Sequence, residues 1–163
     1  MAVTTLPSST PRARRRRPIA AIVASALAVL LLSSTLTSCE TSTPDRNAVV
    51  AEINASRANA GLRPLQQQAQ LNVKADQWAS TLRDRCQISH SRLADGAPGN
   101  WRKLGENVGR GGSISQVHVA YMNSSGHKAN ILDASYNYVG AGAVWGTCNG
   151  HRTVFTVQVF MRA

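Results

Sequence analysis

The sequence has few acidic and few aromatic residues. Its 163 residues include 8 Asp and Glu against 18 Lys and Arg, and 5% are aromatic, so the formal net charge is +10. Five of the basic residues precede position 39, which leaves 13 basic against 8 acidic residues, or +5, in the remainder. Those residues are dispersed, and no basic run alternates with aromatic residues. The composition therefore does not favour nucleic-acid binding.

The sequence also lacks an apolar run long enough to cross a membrane. Residues 19–32 form an apolar run of 14 residues, whereas a transmembrane helix needs about 20. An arginine-rich segment precedes this run and Leu-Thr-Ser-Cys follows it, ending at Cys39. This order predicts a signal peptide over residues 1–38, so we expect an exported protein.

The end of the signal peptide resembles a bacterial lipobox. In that case the thiol of Cys39 takes a diacylglyceryl group and anchors the protein on the outer face of the cell membrane. The alternative is a soluble extracellular protein that is cut elsewhere, with Cys39 incidental.

The cysteines do not have the spacing of a zinc site. Neither Cys86 nor Cys148 lies in a CxxC arrangement, and the single CxxH, Cys148-Asn149-Gly150-His151, is not accompanied by a second ligand pair at metal-site spacing, which disfavours a structural metal centre. If Cys39 is lipidated, the other two remain as a pair in an oxidising compartment. We predict a disulfide between them, which would contribute roughly 4 kcal/mol by closing a loop of about 60 residues. The alternative is two reduced, buried thiols.

The remainder of the chain is predicted to form one domain. After a polar tether over residues 39–44, apolar spacing predicts helices over 45–60 and about 67–86, with Lys74 outside the apolar stripe of the second. Ser113 and Gln116 are spaced as a capping box that opens a third helix, and 128–132 is a short further turn. Residues 104–109 are too short and glycine-rich for a regular element, so a loop is predicted there.

Two strands are predicted at the end of the sequence. They cover residues 138–145 and 153–162 and are joined by a tight turn at Asn149-Gly150. Residues 153–162 are apolar on both faces, which predicts a central strand. Helices followed by a hairpin predict an α+β fold, with helices flanking an antiparallel sheet, over residues 45–163.

Three side chains are candidates for a functional site. His90 lies just past the second helix, Glu106 lies in Gly-Glu-Asn-Val, and His127 follows a Ser-Ser-Gly turn. Each also has a structural explanation, since a histidine can cap a helix end and a glutamate can hold a loop by accepting backbone N–H groups. His118 and His151 are assigned to structure alone.

Five ordered motifs strengthen the case for a shared site. They occupy residues 90–91, 105–108, 123–132, 138–142 and 157–160, and together they resemble the CAP superfamily of cysteine-rich secretory, antigen 5 and pathogenesis-related 1 proteins. The spacing is most similar to its bacterial exported, SCP-like branch. The resemblance covers nearly all of the chain after the signal peptide.

The resemblance implies an α-β-α sandwich whose cleft is lined by two histidines and acidic residues. Carried over by motif, these are His90, His127 and Glu106. The second acid of eukaryotic members follows an aromatic residue by three positions. That aromatic corresponds to Tyr121, so the second acid is replaced by Ser124 here. We expect Tyr121 and Ser124 in the wall of the cleft.

Three chemistries are open to such a cleft. His90, His127 and Glu106 would suit Zn²⁺ and, with a water, would resemble the catalytic set of a metal-assisted hydrolase, although the HExxH spacing is absent. Alternatively, Glu106 orients an imidazole as general base acting on water or Ser124, giving a hydrolase of cell-envelope peptide or acyl groups. The third interpretation, which we favour, is a cleft that binds a metal, lipid or envelope component without turnover. We expect a monomer with no nucleic-acid partner.

Overall fold

The computed structural model describes residues 43–163, so the predicted signal peptide and Cys39 lie outside the described residues. This part of the chain forms four helices and four strands. In chain order they are α1 Thr43–Asn59, β1 Gln66–Gln67, α2 Ala69–Arg85, β2 Lys103–Gly111, α3 Ile114–Asn123, α4 Ser125–Ile131, β3 Tyr138–Cys148 and β4 His151–Arg162.

Strand β4 is central in the sheet. The strand order is β1-β3-β4-β2, and β4 pairs antiparallel with both β3 and β2. Along β4, Val154 and Phe160 pack in one apolar cluster, whereas Phe155 and Val157 pack in a second cluster. The two-faced pattern therefore predicted this strand correctly. Strand β1, which was not predicted, pairs with β3 in parallel over two residues.

The sheet lies between two helical layers. Helix α2 packs against β3 and β4 on one face, while α1 and α3 contribute to the cluster on the other face. Glycines in β3 allow α2 to approach closely, because a Cβ atom at Gly142 would lie 2.5 Å from the carbonyl oxygen of Ala75. The predicted α-β-α sandwich is confirmed.

The ends of the second helix and of the hairpin follow local chemistry. The Gln68 side chain accepts a hydrogen bond from the backbone N–H of Leu71 and caps the start of α2. Cys86, at the other end, has the left-handed φ of 53°. Asn149 and Gly150 both have positive φ, at 51° and 81°, as the predicted tight turn between twisted strands requires.

The predicted disulfide is present between Cys86 and Cys148. Their Cα atoms lie 5.7 Å apart and they are 62 residues apart in the sequence. The bridge joins the end of α2 to the end of β3. Within residues 43–163, no helix is both long and apolar enough to cross a membrane.

Four local predictions were wrong. Residues 104–109 lie in β2 and not in a loop, because nine consecutive residues pair with β4 and this pairing outweighs the weak strand preference of glycine. Helix α4 begins at Ser125, three residues before the helical turn predicted over residues 128–132. Helix α1 begins at Thr43, inside the predicted tether over residues 39–44. Lys74 was placed outside the apolar stripe of α2 but is buried.

Candidate functional site

A buried carboxylate holds an exposed imidazole. Glu106 lies on β2, at the edge of the sheet, and its Oε1 atom is 2.8 Å from Nδ1 of His90. The exposed fraction of the side chain is 63% for His90 and 3% for Glu106. The hydrogen bond fixes the orientation of the ring, so the Nε2 atom of His90 remains for a ligand.

Ser91 also donates hydrogen bonds to the carboxylate of Glu106. Its backbone N–H donates to Oε1 of Glu106 at 2.9 Å and its hydroxyl donates to Oε2 at 2.6 Å. The segment that carries His90 is therefore fastened to the edge of the sheet by three hydrogen bonds to a single carboxylate.

Lys74 extends this network into α2. Its Nζ atom donates to Oγ of Ser91 at 3.0 Å and to the carbonyl oxygens of Arg92 and Asp95 at 3.0 and 2.7 Å. Burial lowers the pKa of Lys74, and the charges of Glu106 and Asp95 oppose this effect. The sequence interpretation missed this residue, although its position three residues after Leu71 is compatible with the buried face of α2.

His127 reaches the same region from the other helical layer. Glu106 and Val108 lie on the side of β2 that faces α2. His127 lies on α4, and the centroid of its ring is 4.9 Å from the centroid of the Tyr121 ring. Burial lowers the pKa of His127, and the charge of His90 lowers it further.

A cluster of side-chain amides positions α4 on the sheet. Asn107 donates to the carbonyl oxygen of His127 at 3.1 Å and to Oε1 of Gln158 at 3.0 Å, and its own Oδ1 accepts from Asn130 at 2.9 Å. All three amides are distant in the sequence, so their mutual contacts give no local signal. They fix the backbone of His127 beside β2.

Tyr121 packs against the ring of His127. It is 2% exposed, and its hydroxyl is 2.9 Å from Oγ1 of Thr156. Burial raises the pKa of Tyr121, so its phenol stays neutral. The ring forms a fixed packing surface for His127. Ser124 lies at the junction of α3 and α4 and its side chain makes no capping hydrogen bond. The hydroxyl that contacts Glu106 belongs to Ser91 and not to Ser124.

A cavity of about 520 Å³ opens beside His90 on the α2 side. Its walls include Lys74, Trp78, His90 and Ser91. The indole N–H of Trp78 donates to the carbonyl oxygen of Ser89 at 2.9 Å, which holds the ring at the wall. His127, Tyr121 and Ser124 lie outside this lining.

The described residues do not fit a His₂Glu zinc site. No three His, Cys, Asp or Glu side chains within residues 43–163 are placed to hold a metal ion together. A physical reason is that both carboxylate oxygens of Glu106 already accept hydrogen bonds from His90 and Ser91. Metal binding through the two imidazoles and water stays a prediction.

The sequence and the fold are similar to those of known proteins. A family model described as "CAP: Cysteine-rich secretory protein family" matches residues 50–160. The chain belongs to this family. The position of the match includes His90, Glu106 and His127, so all three candidate residues lie within the CAP domain.

A curated relative is the Bacillus subtilis protein YkwD, which is described as uncharacterized. It is 31% identical over 122 residues, covering 69% of this chain and 48% of the relative. The chain therefore spans about half the length of the curated relative that it matches.

Solved structures show the same fold. An outer surface protein of Borrelia burgdorferi has a TM-score of 0.61 at 19% identity, covering 74% of this chain and 93% of that protein. An extracellular protein of Bacillus anthracis that contains an SCP domain has a TM-score of 0.60 at 22% identity, covering 74% of this chain and 41% of that protein. At these identities the comparison concerns the fold alone.

Proposed function

We propose that this CAP protein binds a polar component of the cell envelope at His90 and His127, without catalysing a reaction. The observation that carries the proposal is the buried carboxylate of Glu106, which fixes an exposed imidazole beside a cavity of about 520 Å³. A fixed ring that presents one nitrogen to solvent recognises a hydrogen-bonding ligand at a small entropic cost.

The hydrogen-bonding groups at the site favour a ligand that carries polar groups. Lys74, His90 and Ser91 contribute polar atoms to the cavity, and Trp78 supplies an aromatic wall. Because Ser91 forms hydrogen bonds with both Lys74 and Glu106, the ligand would find a preorganised surface. His127 would contact a part of the ligand that extends around the edge of β2.

This function can be tested by following the histidine rings during titration. Protein labelled with ¹⁵N-histidine is titrated with soluble peptidoglycan fragments, short-chain phospholipid and Zn²⁺. We expect the peptidoglycan fragments to shift the signals of His90 and His127. His90→Ala and His127→Ala should each weaken binding, whereas His151→Ala, which alters an exposed residue at the hairpin, should not. Equal binding to all three variants would contradict the proposal.

Export and lipid anchoring form part of the same proposal. They are supported by the order of arginines, apolar run and Cys39 in the sequence, and by the extracellular and outer-surface descriptions of two proteins with the same fold. Cys39→Ala should move the protein from the membrane fraction to the soluble extracellular fraction, since it removes the lipid anchor. A variant that remains in the membrane fraction would contradict anchoring through Cys39.

A hydrolase is the second candidate, favoured by the His90–Glu106 hydrogen bond. In that reaction Glu106 would hold Nδ1–H of His90, and Nε2 of His90 would take a proton from water as the water attacks the carbonyl carbon of an envelope peptide or ester. The same nitrogen would then give this proton to the leaving amine or alcohol as the C–N or C–O bond breaks. Ser124 is a weaker nucleophile candidate than water because no hydrogen bond joins it to His90 or Glu106 within the described chain. Turnover of envelope peptides or esters that is lost in both His90→Ala and Glu106→Gln would establish the hydrolase over the binding protein.

A further inference from the structure

A second cavity, away from His90, lies at the end of α1. Its volume is about 600 Å³. It is enclosed by the last turn of α1, the segment that follows it and the segment that precedes β3. Its lining includes Arg57, Leu62, Arg63, Pro64, Tyr136 and Tyr138. We call this cavity the α1 pocket.

Arg57 is a buried cation in the wall of the α1 pocket. Its side chain is 1% exposed. Its Nε atom donates to the carbonyl oxygen of Arg63 at 2.9 Å, and its Nη1 atom donates to the carbonyl oxygens of Ile131 and Asp133, both at 2.9 Å. These bonds occupy Nε and Nη1. Within residues 43–163, its Nη2 atom donates to no group.

No carboxylate neutralises Arg57 within the described chain. The nearby carboxylate of Asp133 pairs with Lys103 through Oδ2 and accepts the N–H and hydroxyl of Ser135 through Oδ1. Burial lowers the pKa of Arg57, and Asp133 opposes this only through its charge. Buried charges in proteins are ordinarily paired, so a buried guanidinium bonded only to carbonyl groups has room for an anionic partner.

The remaining lining gives the chemistry of that partner. Arg63 adds a second positive charge, and the lining contains no acidic residue. Guanidinium N–H groups form charge-assisted hydrogen bonds with carboxylates and phosphates. Leu62, Pro64 and the rings of Tyr136 and Tyr138 add apolar and aromatic surface to the wall.

We propose that the α1 pocket binds a small organic anion, a carboxylate or phosphate group carried on an apolar or aromatic body. The anionic group contacts Nη2 of Arg57 and the guanidinium of Arg63. The body of the ligand packs against Leu62, Pro64 and Tyr138. This site is separate from the site at His90 and does not depend on the function proposed for it.

The test is calorimetric titration of the purified protein with four probes. Benzoate and phenyl phosphate carry both parts of the proposed ligand, benzamide is a neutral analogue of benzoate, and inorganic phosphate lacks the apolar body. We expect benzoate and phenyl phosphate to bind, benzamide to bind about tenfold more weakly or not at all, and inorganic phosphate to bind more weakly than phenyl phosphate. Binding of the anions should weaken as salt is added.

Variants locate the binding to the α1 pocket. Arg63→Gln alters an exposed residue and should weaken benzoate binding about fivefold or more without changing the melting temperature greatly. Arg102→Gln, an exposed arginine outside the lining, is the matched control and should bind as the wild type does. Arg57→Lys keeps the charge but removes Nη2, so it should also weaken binding.

Two results would overturn the proposal. One is equal affinity for benzamide and benzoate, or no binding of either anionic aryl probe, since the pocket would then have no preference for charge. The other is a benzoate affinity that is unchanged in both single variants, Arg63→Gln and Arg57→Lys, when circular dichroism shows that both are folded. Binding would then lie outside the α1 pocket.

Discussion

The Nζ atom of Lys74 lies 3.0 Å from Oγ of Ser91, and the same hydroxyl donates to Oε2 of Glu106 at 2.6 Å. A single serine thus connects a buried cation on α2 to a buried carboxylate on β2. Because Ser91 directly follows His90, this connection also determines where the exposed imidazole lies.

Replacing Lys74 with methionine should destabilise the protein and loosen His90. Three acceptors lose a charged donor, so we expect the free energy of unfolding to fall by about 3 kcal/mol in urea denaturation. The ¹⁵N shifts of His90 should also move toward those of a mixed-tautomer imidazole, because Ser91 and Glu106 are less firmly held. Lys128→Met, at an exposed lysine on α4, is the control and should alter neither measurement. A Lys74→Met variant with wild-type stability would show that the lysine is dispensable.

Stability should fall as the pH falls from 7 to 5, mainly through His118. Its Nε2 atom is 2.8 Å from Oγ of Ser56, its Nδ1 atom is buried without a partner among the described residues, and burial lowers its pKa while Glu52 opposes the effect. The unfolded state therefore binds more protons than the folded state below the ordinary histidine pKa of about 6.5, so stability rises with pH in that range.

The contribution of His118 is complete above the unfolded-state pKa and is lost as the pH falls through the lower folded-state pKa. The lowered pKa of His127 acts in the same direction. The urea midpoint should be lower at pH 5 than at pH 7, and His118→Gln should reduce the difference. A pH dependence that is the same in this variant and in the wild type would exclude His118 as the cause.

Two glycine substitutions should have opposite effects. In Gly142→Ala the new Cβ atom would lie 2.5 Å from the carbonyl oxygen of Ala75, so α2 must move away from β3. Overpacking of this kind costs about 3 kcal/mol. A Cβ atom added at Gly126, in α4, would have no neighbouring atom within 4 Å, and Gly126→Ala should raise stability by about 0.5 kcal/mol. Thermal denaturation of both variants measures the contrast, and equal stability would disprove the close-contact explanation.

Removal of the disulfide should lower stability by about 4 kcal/mol, because the unfolded chain regains the freedom of a long loop. The double variant Cys86→Ser, Cys148→Ser tests this in urea without reductant. Wild-type protein treated with dithiothreitol should show a similar loss, whereas the double variant should not respond to it. A reductant effect of equal size on both proteins would point to another cause.

The elements with local signals could be predicted from the sequence. The apolar faces of β4, the stripe of α2, the Ser113 cap and the turn at Asn149-Gly150 each depend on residues close in the sequence, and the structure contains them all. The candidate site required family resemblance in addition, because its histidines and Glu106 are far apart in the sequence.

The features that the sequence did not predict depend on residues that are distant in the sequence. The sequence predicts a loop in place of β2 because β4, with which β2 pairs in the described chain, begins 40 residues after β2 ends. Lys74 was placed outside the apolar stripe because its three acceptors lie in a later irregular segment. Both errors come from interactions that become visible only when the chain is folded.

The central position of β4 has a consequence for biosynthesis. Strands β2 and β3 do not pair with each other, and each pairs with β4, which follows both in the chain. While a ribosome is still translating β4, strand β2 lacks the strand with which it pairs in the fold. Glu106 on β2 is then not held in position for its hydrogen bond to His90. The nascent polypeptide therefore stays without a finished sheet until that last strand emerges, and an unfolded chain is the form that can be threaded through a translocation channel.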